Sequence, residues 1–386
     1  MSSGPTQRVM IYVQHLLGVG HFRRAQQLSI ALTQRKFRVD LVSGGMPVSG
    51  PGMPGVTLHQ LPPTYSADAS FSHLLDANGD DIDETWRDHR RQQLLELFDQ
   101  LSPQVLITET FPFGRRMMRF ELIPLLQRAR DSRQCLQIVS SIRDILQPKT
   151  KPGRNREICD LIETRYDHVL VHGDPALARL EDSFADAHRI QHKLAYSGYI
   201  CQARAKTAME TGHSGDVLVS AGGSDTGLAL LEAAIAARPR TRLSHRHWRI
   251  LVSPTIDEAV FQRLRRQAGL DFTVERNRDD FSSLMQQASL SISQAGYNTI
   301  TDILGSRAAA VVVPFTEANE IEQLLRARRL QDRGRLVMLE SDQLSATRLA
   351  AAVDTALDLD TSFVVDLDGA ANSAVMIEKW LEAAAA

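Results

Sequence analysis

Short apolar runs rich in Val and Ile recur along the chain, separated by longer stretches with helical spacing. Five of them are residues 9–13, 39–42, 105–107, 136–139 and 169–171, and five more are 217–219, 250–252, 290–292, 310–313 and 336–339. Runs this short suit central strands covered on both faces by helices. Helical spacing marks 22–35, 85–100, 115–130, 226–237, 257–268 and 321–330. Strand alternating with helix predicts parallel α/β sheets with right-handed crossovers.

The alternation breaks at 199–216 (YICQARAKTAMETGHSGD), which is polar and holds no clear strand. It reads as a linker between two doubly wound domains. The expected organisation is a first domain at 1–198, a linker at 199–215, a second domain at 216–369 and a C-terminal helix at 370–386 that can pack back across the linker. Residues 44–55 (GGMPVSGPGMPG) are punctuated as a loop.

A length of 386 residues fits this two-domain reading. Lys and Arg number 44 against 46 Asp and Glu, so whole-protein charge gives no nucleic-acid footprint. Anion binding must come from local clusters. The three cysteines, Cys135, Cys159 and Cys201, are widely spaced, which argues against a disulfide framework or a cysteine zinc site and fits a reducing compartment. No run approaches the roughly 20 apolar residues of a membrane span, and no signal-peptide core follows the N-terminus. The expected location is the cytoplasm.

Ligands of open α/β sheets sit beyond the carboxyl ends of strands, so the loops after strands are where chemistry is expected. After the first strand, Gly18 and Gly20 let backbone approach a ligand, and His21 and Arg24 open a helix. An imidazole there can act as a base or meet a phosphate. After 105–107 come Glu109, Phe111-Pro112-Phe113-Gly114 and Arg115-Arg116, where Glu109 is either a base or an ion-pair partner of Arg115 or Arg116. After 136–139 come Ser140, Ser141, Arg143 and Asp144, a further candidate base or a local Arg–Asp pair. Lys149, Lys151, Arg154 and Arg156 make a basic Pro/Gly loop, either plainly solvated or able to meet a phosphate-bearing acceptor or an anionic membrane surface.

In the second half, Gly222, Gly223, Ser224 and Thr226 form a strand-to-helix turn suited to cradling phosphate. It lacks a Walker lysine. Gly296 and Thr299 open another helix after a strand, with Asp302 three residues on to accept from ribose hydroxyls. Glu322 and Gln323 open a third, a carboxylate–amide pair suited to sugar hydroxyls.

The ordered set VLVSAGGSDTG, SLSISQAGYNTITDIL and VVVPFTEANEIEQLLRARRLQDRG, over about 216–340, resembles glycosyltransferase family 28, the family of the enzyme that forms lipid II by adding N-acetylglucosamine. The loop GVGHFRRA is similar to that family's glycine-rich loop and, equally, to the Gly-His-x-x-Arg loop of the nucleotide-sugar hydrolases of pseudaminic acid synthesis. The resemblance implies a GT-B fold, α/β with two Rossmann-like domains facing a central cleft, acceptor bound by the first and nucleotide-sugar by the second.

Carried over, the resemblance puts the donor diphosphate at Gly222, Gly223 and Ser224 and its phosphate at Gly296 and Thr299. It puts ribose at Asp302, where the family has glutamate, and sugar hydroxyls at Glu322 and Gln323. The family sets an aromatic residue against uracil; here stands Arg276-Asn277-Arg278, with Arg278 as a substrate-binding candidate beside Arg24, Arg115 and Arg143. The implied reaction is inverting transfer from a nucleoside-diphosphate sugar, uridine favoured, to the hydroxyl of a small-molecule, lipid-linked or polymeric acceptor. It needs no metal and no cofactor, and His21 is the first choice of base, ahead of Glu109 and Asp144. Two alternatives stand beside it: a nucleotide-sugar hydrolase or epimerase of the same fold, and a non-catalytic nucleotide-sugar-binding protein.

Overall fold

The computed structural model describes residues 7–48, 52–67, 73–148, 151–201, 215–221, 227–278, 280–315 and 321–385. The chain divides into two compact units. One comprises Met1–Pro175, Arg179–Ile200 and Asp368–Ala386, and the other Ala176–Ala178 and Cys201–Leu367.

In the first unit β1 (Arg8–Val13), β2 (Arg38–Ser43), β3 (Val56–Gln60), β4 (Val105–Glu109), β5 (Gln137–Arg143), β6 (His168–His172) and β7 (Leu194–Tyr196) form a parallel sheet. Their order is β3-β2-β1-β4-β5-β6-β7. Successive residues of a strand point to opposite faces, and both faces here are covered. Val9, Ile11, Val105, Ile107 and Val139 pack with Phe22, Leu28 and Leu32 of α1 (Gly20–Gln34). Met10, Tyr12, Leu106, Ile138 and Val169 fill the opposite core, with Leu94 and Phe98 of α2 (Glu84–Leu101), Leu122 and Leu125 of α3 (Arg119–Asp131), and Ile158 and Ile162 of α4 (Arg154–Arg165). Burial on both sides is why these strands read as unbroken apolar runs rather than alternating ones. Asp83 caps α2, its carboxylate accepting from Trp86 N at 2.7 Å.

The second unit holds β8 (Val217–Ser220), β9 (Trp248–Val252), β10 (Phe272–Arg276), β11 (Leu290–Ser293), β12 (Ala309–Val312) and β13 (Val337–Met338), parallel and ordered β10-β9-β8-β11-β12-β13. Its helices are α5 (Leu228–Ala237), α6 (Glu258–Ala268), α7 (Phe281–Gln287), α8 (Tyr297–Leu304), α9 (Glu322–Asp332) and α10 (Ala346–Ala356). Val217, Val219, Ile250, Val252 and Ile292 pack against Leu230, Leu231, Leu264, Leu349 and Val353 of α5, α6 and α10. Both strand orders reverse beside the first strand of the unit, as in doubly wound folds.

Several elements escape the apolar pattern. β3 (VTLHQ) and β10 (FTVER) lie at sheet edges, where partial exposure removes the need for a continuous apolar run. β5 continues four residues past the apolar run, because Ser140 and Ser141 are paired inside the fold: Ser140 donates to Phe111 O at 2.8 Å and Ser141 to Glu109 Oε2 at 2.7 Å. The basic run read as a loop turns helical at Arg154, so Arg154 and Arg156 lie in the first turn of α4, whereas Lys149 lies outside the described residues. α4 buries only Ile158, Cys159 and Ile162, a face too narrow to announce itself.

The last helix, α11 (Gly369–Ala385), belongs to the first unit. Ala374, Ile377 and Leu381 enter the core beneath α1, and Trp380 stacks on His168 with ring centroids 3.8 Å apart. The proposed linker falls mostly at 202–214, outside the described residues.

Candidate functional site

Adjacent strands β1, β4, β5 and β6 bring their carboxyl ends together, and the polar residues at these ends form one network. Glu109, the last residue of β4, pairs in register with Ser141 of β5. Arg143 at the end of β5 pairs with His172 at the end of β6. His21 enters from the first turn of α1, and its Nδ1 lies 2.9 Å from Glu109 Oε1. The same carboxylate is ion-paired with Arg24, one helical turn after His21. Glu109 therefore has its partner in Arg24, not in Arg115 or Arg116. Arg115 Nε donates to Gln14 O at 2.7 Å, and Arg116 pairs with Glu157.

Donor and acceptor roles follow from the carboxylate. Glu109 is 2 % exposed, and although burial pushes its carboxyl up, the charge of Arg24 and the bonds from His21 and Ser141 outweigh it and hold it well below the ordinary range. An ionised carboxylate only accepts, so Nδ1 of His21 carries a proton and Nε2 keeps a lone pair. Ser141 likewise donates to Glu109, so its oxygen accepts from His172 Nε2–H at 2.8 Å. Nδ1 of His172 then accepts from Ser197 Oγ at 2.9 Å. Ser197, His172 and Ser141 thus form a directed chain of donors that ends on Glu109, the carboxylate that also accepts from His21.

Burial drives the pKa of His21 well below its ordinary value, and Arg115, Arg143 and Arg24 drive it further, against the opposing bond to Glu109. His172 is pushed down to about 3, by burial first and by Arg24 second. Arg115 falls to about 10 through burial and the charge of Arg143. A neutral imidazole whose Nε2 has no hydrogen-bond partner among the described residues, oriented through Nδ1 by a carboxylate, is the arrangement of a general base. Thr110 and Arg115 have φ of 69° and 56°, left-handed backbone at non-glycine residues on both sides of the turn after β4. Strain of this kind concentrates where the surrounding fold fixes a functional conformation. Gly18 has φ of 33°, and Gly20 is the first residue of α1. Asp144 stands apart from His21 in role: it is fully buried, and its Oδ2 accepts from Tyr199 Oη at 2.8 Å.

In the second unit the neighbouring strands β8, β11 and β12 run towards the N-termini of α5, α8 and α9. Gly227 precedes α5, and a Cβ there would lie 1.9 Å from Ala221 Cβ, so the close strand–helix approach requires glycine. Gly222, Gly223, Ser224 and Thr226 lie outside the described residues. Gly296 is the N-cap of α8, with open space where a Cβ would stand, and Thr299 is in its first turn. Asp302 is held inside the unit. It is 6 % exposed and accepts from Ser282 Oγ at 2.7 Å, and burial raises its pKa to about 6. Its shorter side chain is turned to α7. Glu322, also buried, is paired with Arg326 one turn along α9, while Gln323 Oε1 accepts from Phe315 N at 3.2 Å. Arg278 is exposed and paired with Asp280 and Glu275. Among the described residues no three His, Cys, Asp or Glu side chains gather as metal ligands would, and no helix is long and apolar enough to cross a membrane.

Residues 217–363 match the glycosyltransferase family 28 C-terminal domain. The chain has the GT-B fold, and its second unit carries the family 28 match. Among curated relatives, the UDP-N-acetylglucosamine--N-acetylmuramyl-(pentapeptide) pyrophosphoryl-undecaprenol N-acetylglucosamine transferase of Chromohalobacter salexigens is 31% identical over 104 residues, 27% of this chain and 29% of that one. The enzyme of the same name from Paramagnetospirillum magneticum is 25% identical over 190 residues, 46% of this chain and 51% of its own. These matches thus span about half or less of the relatives' length. Solved structures agree over nearly the whole chain. The glycotransferase of kitacinnamycin superposes with a TM-score of 0.62 at 16% identity, covering 98% of this chain and all of that one. MurG of Acinetobacter baumannii gives 0.58 at 15% identity, covering 97% and 99%. At such identities the likeness is one of fold.

The sequence pattern singles out His21, Arg24, Glu109, Arg115 and Arg143 as candidates, but not Ser141 as a partner of Glu109, nor His172 and Ser197. The signal for His172 was present: it directly follows the apolar run 169–171, in a strand-end position like the loops that were read.

Proposed function

We propose that the protein transfers a sugar from a nucleoside-diphosphate donor to an acceptor hydroxyl. The observation that carries this is the His21–Glu109 pair, a neutral imidazole held by an ionised carboxylate, in a chain whose second unit matches a family 28 domain. His21 Nε2 takes the proton of the acceptor hydroxyl, Glu109 stabilises the imidazolium that forms, and the oxygen attacks the anomeric carbon opposite the nucleotide. A single displacement of this kind inverts the configuration. The departing diphosphate is met by helix N-termini and backbone N–H groups at the ends of β8, β11 and β12, which supply the charge stabilisation a metal would otherwise give. The names of the relatives carry a UDP-N-acetylglucosamine donor, which supports uridine diphosphate here.

Arg24 gives a second reading its footing: it completes the Gly-His-x-x-Arg loop and sits on the carboxylate of Glu109, so water can stand in for the acceptor. The test begins with thermal stabilisation by uridine, guanosine, thymidine and cytidine diphosphates and their sugars. It continues with labelled donor incubated alone and with acceptor extracts. Stabilisation by one diphosphate and label transferred only with extract supports transfer. Free sugar from donor alone supports hydrolysis, and no stabilisation by any of them overturns the donor-site assignment.

A further inference from the structure

Within the first unit, a cavity of about 260 Å³ lies between the turn after β4 and helix α4. Leu16, Phe111, Phe113, Met117, Ile158 and Leu161 make its apolar walls, and Phe111 and Phe113 are each 1 % exposed. Its lining also contains Arg115, Arg116, Arg119 and Arg154, with Glu157 as the one carboxylate. The side chains of Arg116, Arg119 and Arg154 reach solvent, which places them at the rim. Among the described residues, all three lean on Glu157: Arg116 Nη1 at 2.6 Å, Arg119 Nη1 at 2.5 Å and Arg154 Nη1 at 3.0 Å. Four guanidiniums against one carboxylate leave the lining with a strong positive excess. Crowding like charges at an apolar opening is unfavourable by itself, and a second anion at the rim relieves it. Guanidiniums are also the donors best shaped for a carboxylate or phosphate.

The apolar walls suit a flat ring body. A space of about 260 Å³ walled by two phenylalanines accommodates one or two rings. We propose that this cavity binds a small anion with a compact ring body, its single carboxylate or phosphate on the arginine rim and its rings between Phe111, Phe113 and Leu161. Leu16 stands on the loop that leads to His21, and Arg115 both lines the cavity and acts by its charge on His21. The bound anion is therefore assigned as the acceptor class, and that assignment, unlike the binding site, rests on the transferase reading above.

The experiment measures binding to the full chain by calorimetric titration, with 2-naphthoate and 1-naphthyl phosphate as probes. Controls are 2-naphthamide, inorganic phosphate, decyl phosphate and phosphatidylglycerol vesicles. The naphthyl anions are expected to saturate one site, with the amide and inorganic phosphate at least about tenfold weaker. Arg119→Ala and Arg154→Ala, made separately so that one folded variant suffices, each weaken the anions about tenfold and leave any residual amide binding unchanged. Leu161→Trp, which fills the cavity, abolishes binding of both ring anions. Equal binding of anion and amide, binding of inorganic phosphate alone, preference for decyl phosphate or vesicles, or no binding at all would each overturn the proposal. Naphthyl binding in a protein that transfers no sugar would leave the site standing and remove the transferase reading.

Discussion

Neutrality at His21 has two consequences at the scale of single residues. If it is the base, His21→Ala lowers the transfer rate constant by about 10²–10⁴-fold while donor binding is kept. Single-turnover assays at saturating donor read this directly, and an unchanged rate removes His21 from the role. Glu109→Gln should behave similarly, because an amide cannot balance the imidazolium. The second consequence is in stability. His172 titrates near 3 in the fold and His21 well below its ordinary value, whereas in the unfolded chain both titrate near ~6.5. Between those values the unfolded state binds more protons, so stability rises with pH and is lost on acidification below about 6.5, by up to ~1.4 kcal/mol per pH unit for each histidine. Asp302 runs the other way: its raised value of about 6 gives stability that is present at low pH and lost as pH rises through 6. Urea midpoints between pH 4.5 and 7.5 should fall on the acid side, and His172→Gln should flatten that slope. A slope that the substitution leaves unaltered would contradict the buried neutral histidine.

Helices and strands of the first unit are tied together by a buried polar cluster. Arg90 of α2 donates through Nε to Glu121 Oε2 of α3 at 2.8 Å and through Nη2 to Gln14 Oε1 at 2.6 Å, and Tyr12 of β1 donates to Glu121. Arg90 also reaches Gly44 O at 2.9 Å, fixing the loop after β2. Both charges are fully buried. Removing one partner strands the other, so Arg90→Met should cost about 3–5 kcal/mol. The double change Arg90→Met with Glu121→Leu should cost clearly less, since no unpaired charge remains. Denaturant titration of the three proteins decides this, and equal losses in single and double variants would show that the charge pair is not the determinant. The central elements here were legible because strands buried on both faces must be apolar. β3, β10 and α4 were not, because an edge strand or a surface helix needs only a few buried side chains and leaves a weak pattern.

For the whole molecule, two separate cores make a specific thermal prediction. Each unit has its own sheet and its own apolar clusters, and the family 28 match lies within the second. If the donor is a uridine diphosphate sugar, uridine diphosphate at about 100 times its Kd should stabilise the unit it binds by about 2.7 kcal/mol. Calorimetry of the full chain should therefore show one transition moving up and another staying in place. Movement of the first unit's transition alone would place the nucleotide on the wrong sheet.

Sequence alone determined the alternation of strand and helix, the division into two doubly wound units, and the strand-end residues His21, Arg24 and Glu109, because periodicity and strand-end position are local properties of the chain. Tertiary structure decided the partners. It gave Glu109 to Arg24 rather than Arg115, turned Asp302 to Ser282, tied Glu322 to Arg326, brought α11 back beneath α1, and joined Ser141, His172 and Ser197 into one chain of donors and acceptors. Those partners lie from 4 to more than 100 positions apart, and what selects among several arginines for one carboxylate is the direction each side chain takes from its own element. Spacing along the chain carries no record of that direction until the sheet has formed.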